Sequence, residues 1–131
     1  MNMFRSALLL LLVPFCLAAE TLHVYSTTDI HGHIFSNRKN PNLLKLSEAI
    51  RNDIAGKGKE NTLLIDCGDL IQGTFETQLD NGSLVLQLMN RTGYDVWVPG
   101  NHDFELGLQT LKDRKNDFKG TVLCANLLLH G

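Results

Sequence analysis

What this chain lacks narrows it before any motif is considered. Its longest apolar run, residues 7–13, is followed by Pro14 and falls short of the roughly 20 residues that a membrane helix needs. With Arg5 in a short polar start and the small pair Ala18-Ala19 behind it, the run reads as an export signal over residues 1–19, cleaved after Ala19. Export to a periplasm or the exterior is expected, with no stable membrane insertion after cleavage. Cys16 follows Phe15, where a lipidation site wants a small residue, so plain cleavage is preferred. Basic residues are not in excess. Twelve lysines and arginines face 14 acids for a net charge of −2, which gives no electrostatic footprint for a nucleic-acid polymer or an anionic membrane. Lys57, Lys59, Lys112, Arg114 and Lys115 are read as solvated surface. Cysteine is scarce too. Cys67 and Cys124 remain after cleavage, and neither has the CxxC partner of a zinc site. Each falls at the end of an expected strand and is read as a small buried apolar side chain, although an oxidising compartment would permit a disulfide. There is no internal repeat and no linker.

What is present is an alternation of strand and helix patterns over residues 20–131. Residues 21–27 alternate, with Val24 and Tyr25, and run into a polar turn at Thr28-Asp29. Over residues 42–54 the apolar positions Leu43, Leu44, Leu46, Ala49, Ile50 and Ile54 recur at helical spacing, with Pro41 before and Gly56 beyond. Residues 62–65 form a second strand, too continuously apolar for a one-sided sheet and therefore expected to be covered on both faces. Asn81-Gly82-Ser83 offers a cap for a helix with Leu84, Val85, Leu88 and Met89 inward, closed by Gly93. A third strand at 95–98 is stopped by Pro99; a helix at 108–118 and a fourth strand at 121–125 complete the series. The order β-α-β-α-β-α-β implies parallel pairing and an α/β layered sheet.

Three of these strands end in residues that bind metals. Asp29-Ile30-His31 follows the first, Asp66-Cys67-Gly68-Asp69 the second and Gly100-Asn101-His102-Asp103 the third. A parallel sheet gathers the carboxyl ends of its strands at one edge, so ligands distant in sequence meet there. Asp29 and His31, two apart in an extended segment, point to the same side and can share one ion. Asp69 is the better candidate for a bridge, because one carboxylate can join two divalent ions about 4 Å apart. Asp66 is read as a strand-end carboxylate bonded to nearby backbone, and His33 as facing solvent or supporting the ligands from behind. Gln72-Gly73-Thr74 continues and shapes the Asp69 turn. Asn101 adds an amide oxygen, and mixed carboxylate, imidazole and amide ligation suits manganese, zinc or iron. His102 need not be a ligand. An imidazole beside a phosphate can stabilise developing charge or protonate a leaving oxygen if an acid orients its other nitrogen, and Glu105 and Asp103 are the available acids.

With Asp29-Ile30-His31-Gly32, Gly68-Asp69-Leu70-Ile71-Gln72-Gly73-Thr74 and Gly100-Asn101-His102-Asp103-Phe104-Glu105 quoted, and Cys124-Ala125-Asn126 beside them, the sequence resembles the calcineurin-like metallophosphoesterases. Within them it is similar to the exported 5'-nucleotidase and 2',3'-cyclic phosphodiesterase family. The resemblance implies two divalent ions, with Asp29 and His31 on the first, Asp69 bridging and Asn101 on the second. His102 would be the catalytic histidine. Its acid partner in the family is an aspartate three residues on, where this chain has Glu105. The implied activity is hydrolysis of a nucleotide phosphate ester, with water attacking phosphorus in line. A cyclic nucleotide, a nucleotide sugar or a thiosulfate ester are the alternative substrates, and a non-catalytic truncated relative is the alternative protein. The family's downstream Gly-His and Gly-His-x-His, and its separate C-terminal domain, have no counterpart after Asn126; His130 is not a substitute. The chain is therefore expected to be the N-terminal half of a metallophosphoesterase domain, inactive alone, whose partner is the rest of that domain.

Overall fold

The computed structural model describes residues 21–35 and 42–127. The leader read over residues 1–19 and His130 lie outside the described residues. Four strands, β1 (His23–Thr27), β2 (Thr62–Asp66), β3 (Val96–Trp97) and β4 (Thr121–Val122), form one sheet in the order β1-β2-β3-β4 with every pair parallel. Between them run α1 (Leu43–Lys57), α2 (Phe75–Asp80), α3 (Ser83–Thr92) and α4 (Leu108–Asp117).

Register is what matters for function. Thr27 lies opposite Asp66, Asp66 opposite Trp97 and Trp97 opposite Val122, so the four strands end in one row. The loops that leave them start from the same sheet edge. Strands β3 and β4 are shorter than the sequence pattern suggests, but ladder bonds continue on both sides of them. Asp95 N donates to Leu64 O (2.9 Å), Val98 N to Asp66 O (2.9 Å) and Leu123 N to Trp97 O (3.0 Å).

One face of the sheet is covered and the other is open among the described residues. A sheet whose strands follow sequence order, joined by crossovers of a single hand, receives its helices on one side. Leu64 and Trp97 are fully buried there, in a core with Ile50 and Ile54 of α1, Val85, Leu86 and Met89 of α3, and Leu111 and Phe118 near α4. Trp97 meets the ring of Phe118 edge-on at 6.1 Å. On the opposite face Leu63 and Ile65 are half-buried, while Leu22 and Val24 are 62% and 58% exposed. Among the described residues β2 is thus covered on one face only, where covering on both was expected.

Helix phase departs from the sequence reading for an identifiable reason. In α1 the buried stripe is Leu43, Ser47, Ile50 and Ile54, and Leu44, Leu46 and Ala49 face outward. Ser47, not a leucine, completes the stripe. The helix runs through Gly56 and is closed by Gly58 at φ 85°. Asn42 begins it, accepting from Lys45 N at 2.8 Å. In α3, Leu86 replaces Leu84 on the inner face. Its first turn is capped by Asp80, whose carboxylate accepts from Gly82 N and Leu84 N. Asn81 instead closes α2, a short helix that the apolar pattern does not signal.

Two surface readings also change. Cys67 is exposed and Cys124 half-buried, and both are free thiols; the strand-end positions leave them outside the covered face. Arg114 is half-buried, donating to Asp80 O and Asn81 O and pairing with Asp117 at 2.9 Å, so it ties α4 to the α2–α3 turn. No helix among the described residues is long and apolar enough to cross a membrane.

Candidate metal centre

The loop after β1 is held against the loop after β2 by a continuation of the parallel ladder. Asp29 N donates to Gly68 O (3.0 Å), His31 N to Asp69 O (2.8 Å) and Gly32 N to Leu70 O (2.9 Å). Regular strand geometry does not persist, however. Asp29, His31 and Asp69 have φ of 54°, 47° and 57°, a left-handed conformation that L residues visit at a cost and that Asp tolerates better than most. Such strain is sustained where surrounding hydrogen bonds over-determine the backbone, and it recurs at functional sites.

The outcome is a convergence of candidate ligands. Asp29, His31 and Asp69 each offer one donor atom, and these lie within 4.8 Å of one another. His31 Nε2 is 3.8 Å from an Asp29 oxygen. Asp29 is exposed, and the other two are half-buried. Among the described residues no lysine or arginine pairs with Asp29 or Asp69. Two carboxylates and an imidazole gathered without a basic partner fit a divalent cation of the manganese, zinc or iron kind.

The loop after β3 joins from the other side. Gly68 and Gly100 carry no side chain where the two loops touch: a Cβ on Gly68, at φ 107°, would lie 2.5 Å from Gly100 N. His102 N donates to Asp69 Oδ1 at 2.9 Å. Asn101, the residue before, is exposed and lines a cavity of about 400 Å³ with Pro99, Phe104, Cys124 and Asn126. The His31 and His102 rings meet edge-on at 5.3 Å. Gly73, at φ 124°, packs on the His31 backbone, so the Gln72-Gly73-Thr74 turn does shape the site.

Of the two acids available to His102, the structure pairs Glu105 with it, at 2.5 Å from Nδ1. That hydrogen bond raises the His102 pKa above the ordinary value of 6.5, favouring the imidazolium. Asp103 is turned away and fully buried. Its carboxylate accepts from Asp69 N, Leu70 N, Ile71 N and Gly100 N. Both are acids within three residues of His102, and the turn geometry sends one to the imidazole and the other to the backbone. Asp66 is also buried, accepting from Gly68 N (3.0 Å) and from the Thr27 hydroxyl (2.7 Å), and is not among the gathered ligands. Burial, partly offset by those hydrogen bonds, pushes its pKa up to about 6. His33 is exposed.

A parallel α/β sheet with carboxylate and imidazole side chains collected at the carboxyl ends of its strands defines a class of layered proteins that work at one sheet edge. Residues 22–129 match the calcineurin-like phosphoesterase family, and the chain belongs to that family. It is similar to Protein UshA of Escherichia coli (strain K12), 32% identical over 138 residues that take in 94% of this chain and 25% of that protein. It is 38% identical over 76 residues to the 5'-nucleotidase of Rattus norvegicus, covering 57% of this chain and 13% of that one. Among solved structures, the 5'-nucleotidase precursor of Thermus thermophilus superposes with a TM-score of 0.69 at 29% identity, over 80% of this chain and 22% of that one. The chain thus spans a quarter or less of the length of these three relatives.

Proposed function

We propose that the complete protein is an exported phosphoesterase that hydrolyses nucleotide phosphate esters at a site for two divalent ions. The observation that carries this reading is the convergence of Asp29, His31 and Asp69 beside the His102–Glu105 pair. Asp29 and His31 would hold a first ion, Asp69 would reach both, and Asn101 would hold the second. Zinc, manganese or iron fits these donors. Bound there, divalent ions would neutralise phosphate charge and acidify water at the site.

The chain's own residues supply the rest. Glu105 accepts from Nδ1 of His102, which orients the ring and raises its pKa above the ordinary value. The opposite nitrogen, Nε2, is then the one that can give a proton to a leaving oxygen. His102 is itself anchored by its backbone N–H on Asp69, so the proton donor and the central ligand are positioned together. A nucleotide as substrate is supported by the nucleotidase relatives, and export by the leader pattern in the sequence.

In the complete protein, Asp69→Asn should abolish hydrolysis of 5'-nucleotides while the fold is retained. Unchanged turnover with full metal content would refute the role given to Asp69. His102→Ala should lower turnover far more than metal content, and the reverse pattern would make His102 a ligand.

A further inference from the structure

Asp103 is the residue that the sequence offered only as an alternative partner for His102, and its surroundings assign it another task. Its side chain has no exposure to solvent, and no lysine or arginine among the described residues pairs with it. Four backbone N–H groups hold the carboxylate instead. Oδ1 accepts from Leu70 N and Ile71 N, both at 2.8 Å. Oδ2 accepts from Asp69 N at 3.0 Å and Gly100 N at 2.8 Å. Successive N–H groups of a segment that begins in the left-handed region form a concave anion-binding nest, and Asp69 has φ 57°. The 69–71 segment is such a nest, and its occupant comes from the next loop of the same chain.

We infer that Asp103 is a positioning residue for the metal centre, fixing the Asp69 loop to the Asn101–His102 loop so that ion affinity depends on it. One oxygen, Oδ2, touches the backbone of both loops. The link is reciprocal: Asp103 holds the Asp69 backbone, and the Asp69 side chain holds the His102 backbone. Leu70 and Ile71 are fully buried, so their N–H groups have no water to turn to if the carboxylate is removed. An amide at position 103 would set an NH2 group against two N–H donors, and the segment carrying Asp69 would have to move.

This inference rests on the metal-site reading above, and the test separates the two. Zinc is titrated into the complete protein and followed by calorimetry, for the unaltered form and for Asp103→Asn, Asp103→Ala and Asp95→Asn. Asp95 is a comparable acid that accepts from Leu64 N and pairs with Lys59, far from the ligands. Asp103→Asn is expected to weaken zinc binding by about tenfold or more, the range typical of residues that orient ligands. Asp95→Asn should lower thermal stability and leave the affinity within about twofold, since it acts on the strands alone. Formate added to Asp103→Ala should refill the nest and recover much of the lost affinity, a result that a purely structural defect does not give. A folded Asp103→Asn protein that binds zinc like the unaltered chain overturns the inference while the metal site stands. If the unaltered complete protein takes up no zinc, the site reading itself fails. Should neither Asp103 variant fold, amide hydrogen exchange of the unaltered chain decides: zinc must slow exchange at Leu70, Ile71 and Gly100, and unchanged rates overturn the coupling.

Discussion

Asp66 gives a prediction whose size and sign both follow from its surroundings. The carboxyl is buried at the end of β2 beneath the site, with the hydroxyls of Thr27 and Tyr94 in line behind it at 3.0 Å from each other. Its pKa rises from 3.8 to about 6, chiefly through burial. Between about pH 4 and pH 6 the folded protein therefore keeps a proton that the unfolded chain has released. Stability is full below that window and is lost as pH climbs through it. At about 1.4 kcal/mol per pH unit, the ionised group costs the fold about 3 kcal/mol at neutral pH. Asp66→Asn removes the charge but keeps the geometry. The amide oxygen accepts from Gly68 N, and the amide NH2 donates to Thr27, whose hydroxyl turns to Tyr94. The hydrogen bonds to the carboxylate are already contained in that raised pKa, so a gain of about 3 kcal/mol is expected at pH 7.5, vanishing near pH 4 where both side chains are neutral in the fold. Urea unfolding in chelator-treated buffer measures it, and Trp97, the chain's one tryptophan and fully buried, reports the transition by fluorescence. A gain of the same size at both pH values, or a loss at pH 7.5, would refute burial of the charge as the cause.

Three further outcomes test other parts of the structure. Gly68→Ala forces a side chain at φ 107° into the Gly100 backbone, and should cost about 2–4 kcal/mol in urea unfolding; a loss under about 1 kcal/mol would mean that the two loops are not in contact. Glu105→Gln should lower the His102 pKa, because the carboxylate hydrogen bond is the largest influence raising it. NMR titration of the imidazole protons reads this directly, and an unmoved midpoint would assign the effect to Asp69 and Asp103 instead. Trp97→Ala empties the centre of the core and should cost about 3–5 kcal/mol, followed by far-ultraviolet circular dichroism. A cost near that of a surface change would place the ring outside the packed core.

The fold was legible because its signals are local and repeated. Apolar runs ending in Asp29, Asp69 and Asn101 turns, separated by amphipathic helices, leave parallel pairing as the economical arrangement. Helix ends and helix phase were less legible. Gly56 and Gly58 look alike in sequence, and only Gly58 takes a positive φ. Leu44, Leu46 and Leu84 satisfy an apolar count but lie off the stripe that meets the sheet. The α2 segment is too short to show a period; its capping box between Thr74 and Thr77 was the one local clue.

Within the site, the chain's order of residues named the ligand types and their place after the strands, since a metal ligand must be a particular side chain and a parallel sheet must gather strand ends. Sequence therefore determined the family, the parallel α/β sheet and the candidate residues Asp29, His31, Asp69, Asn101, His102 and Glu105. Tertiary structure alone decided how close Asp29, His31 and Asp69 stand and what Asp103 does, while the resemblance had already pointed to Glu105 as the acid for His102. Those are questions of distance and direction between loops some 30 to 70 residues apart, which decide whether a carboxylate orients a histidine or fills a backbone nest. Both groups are carboxylates, and packing decides what each one meets.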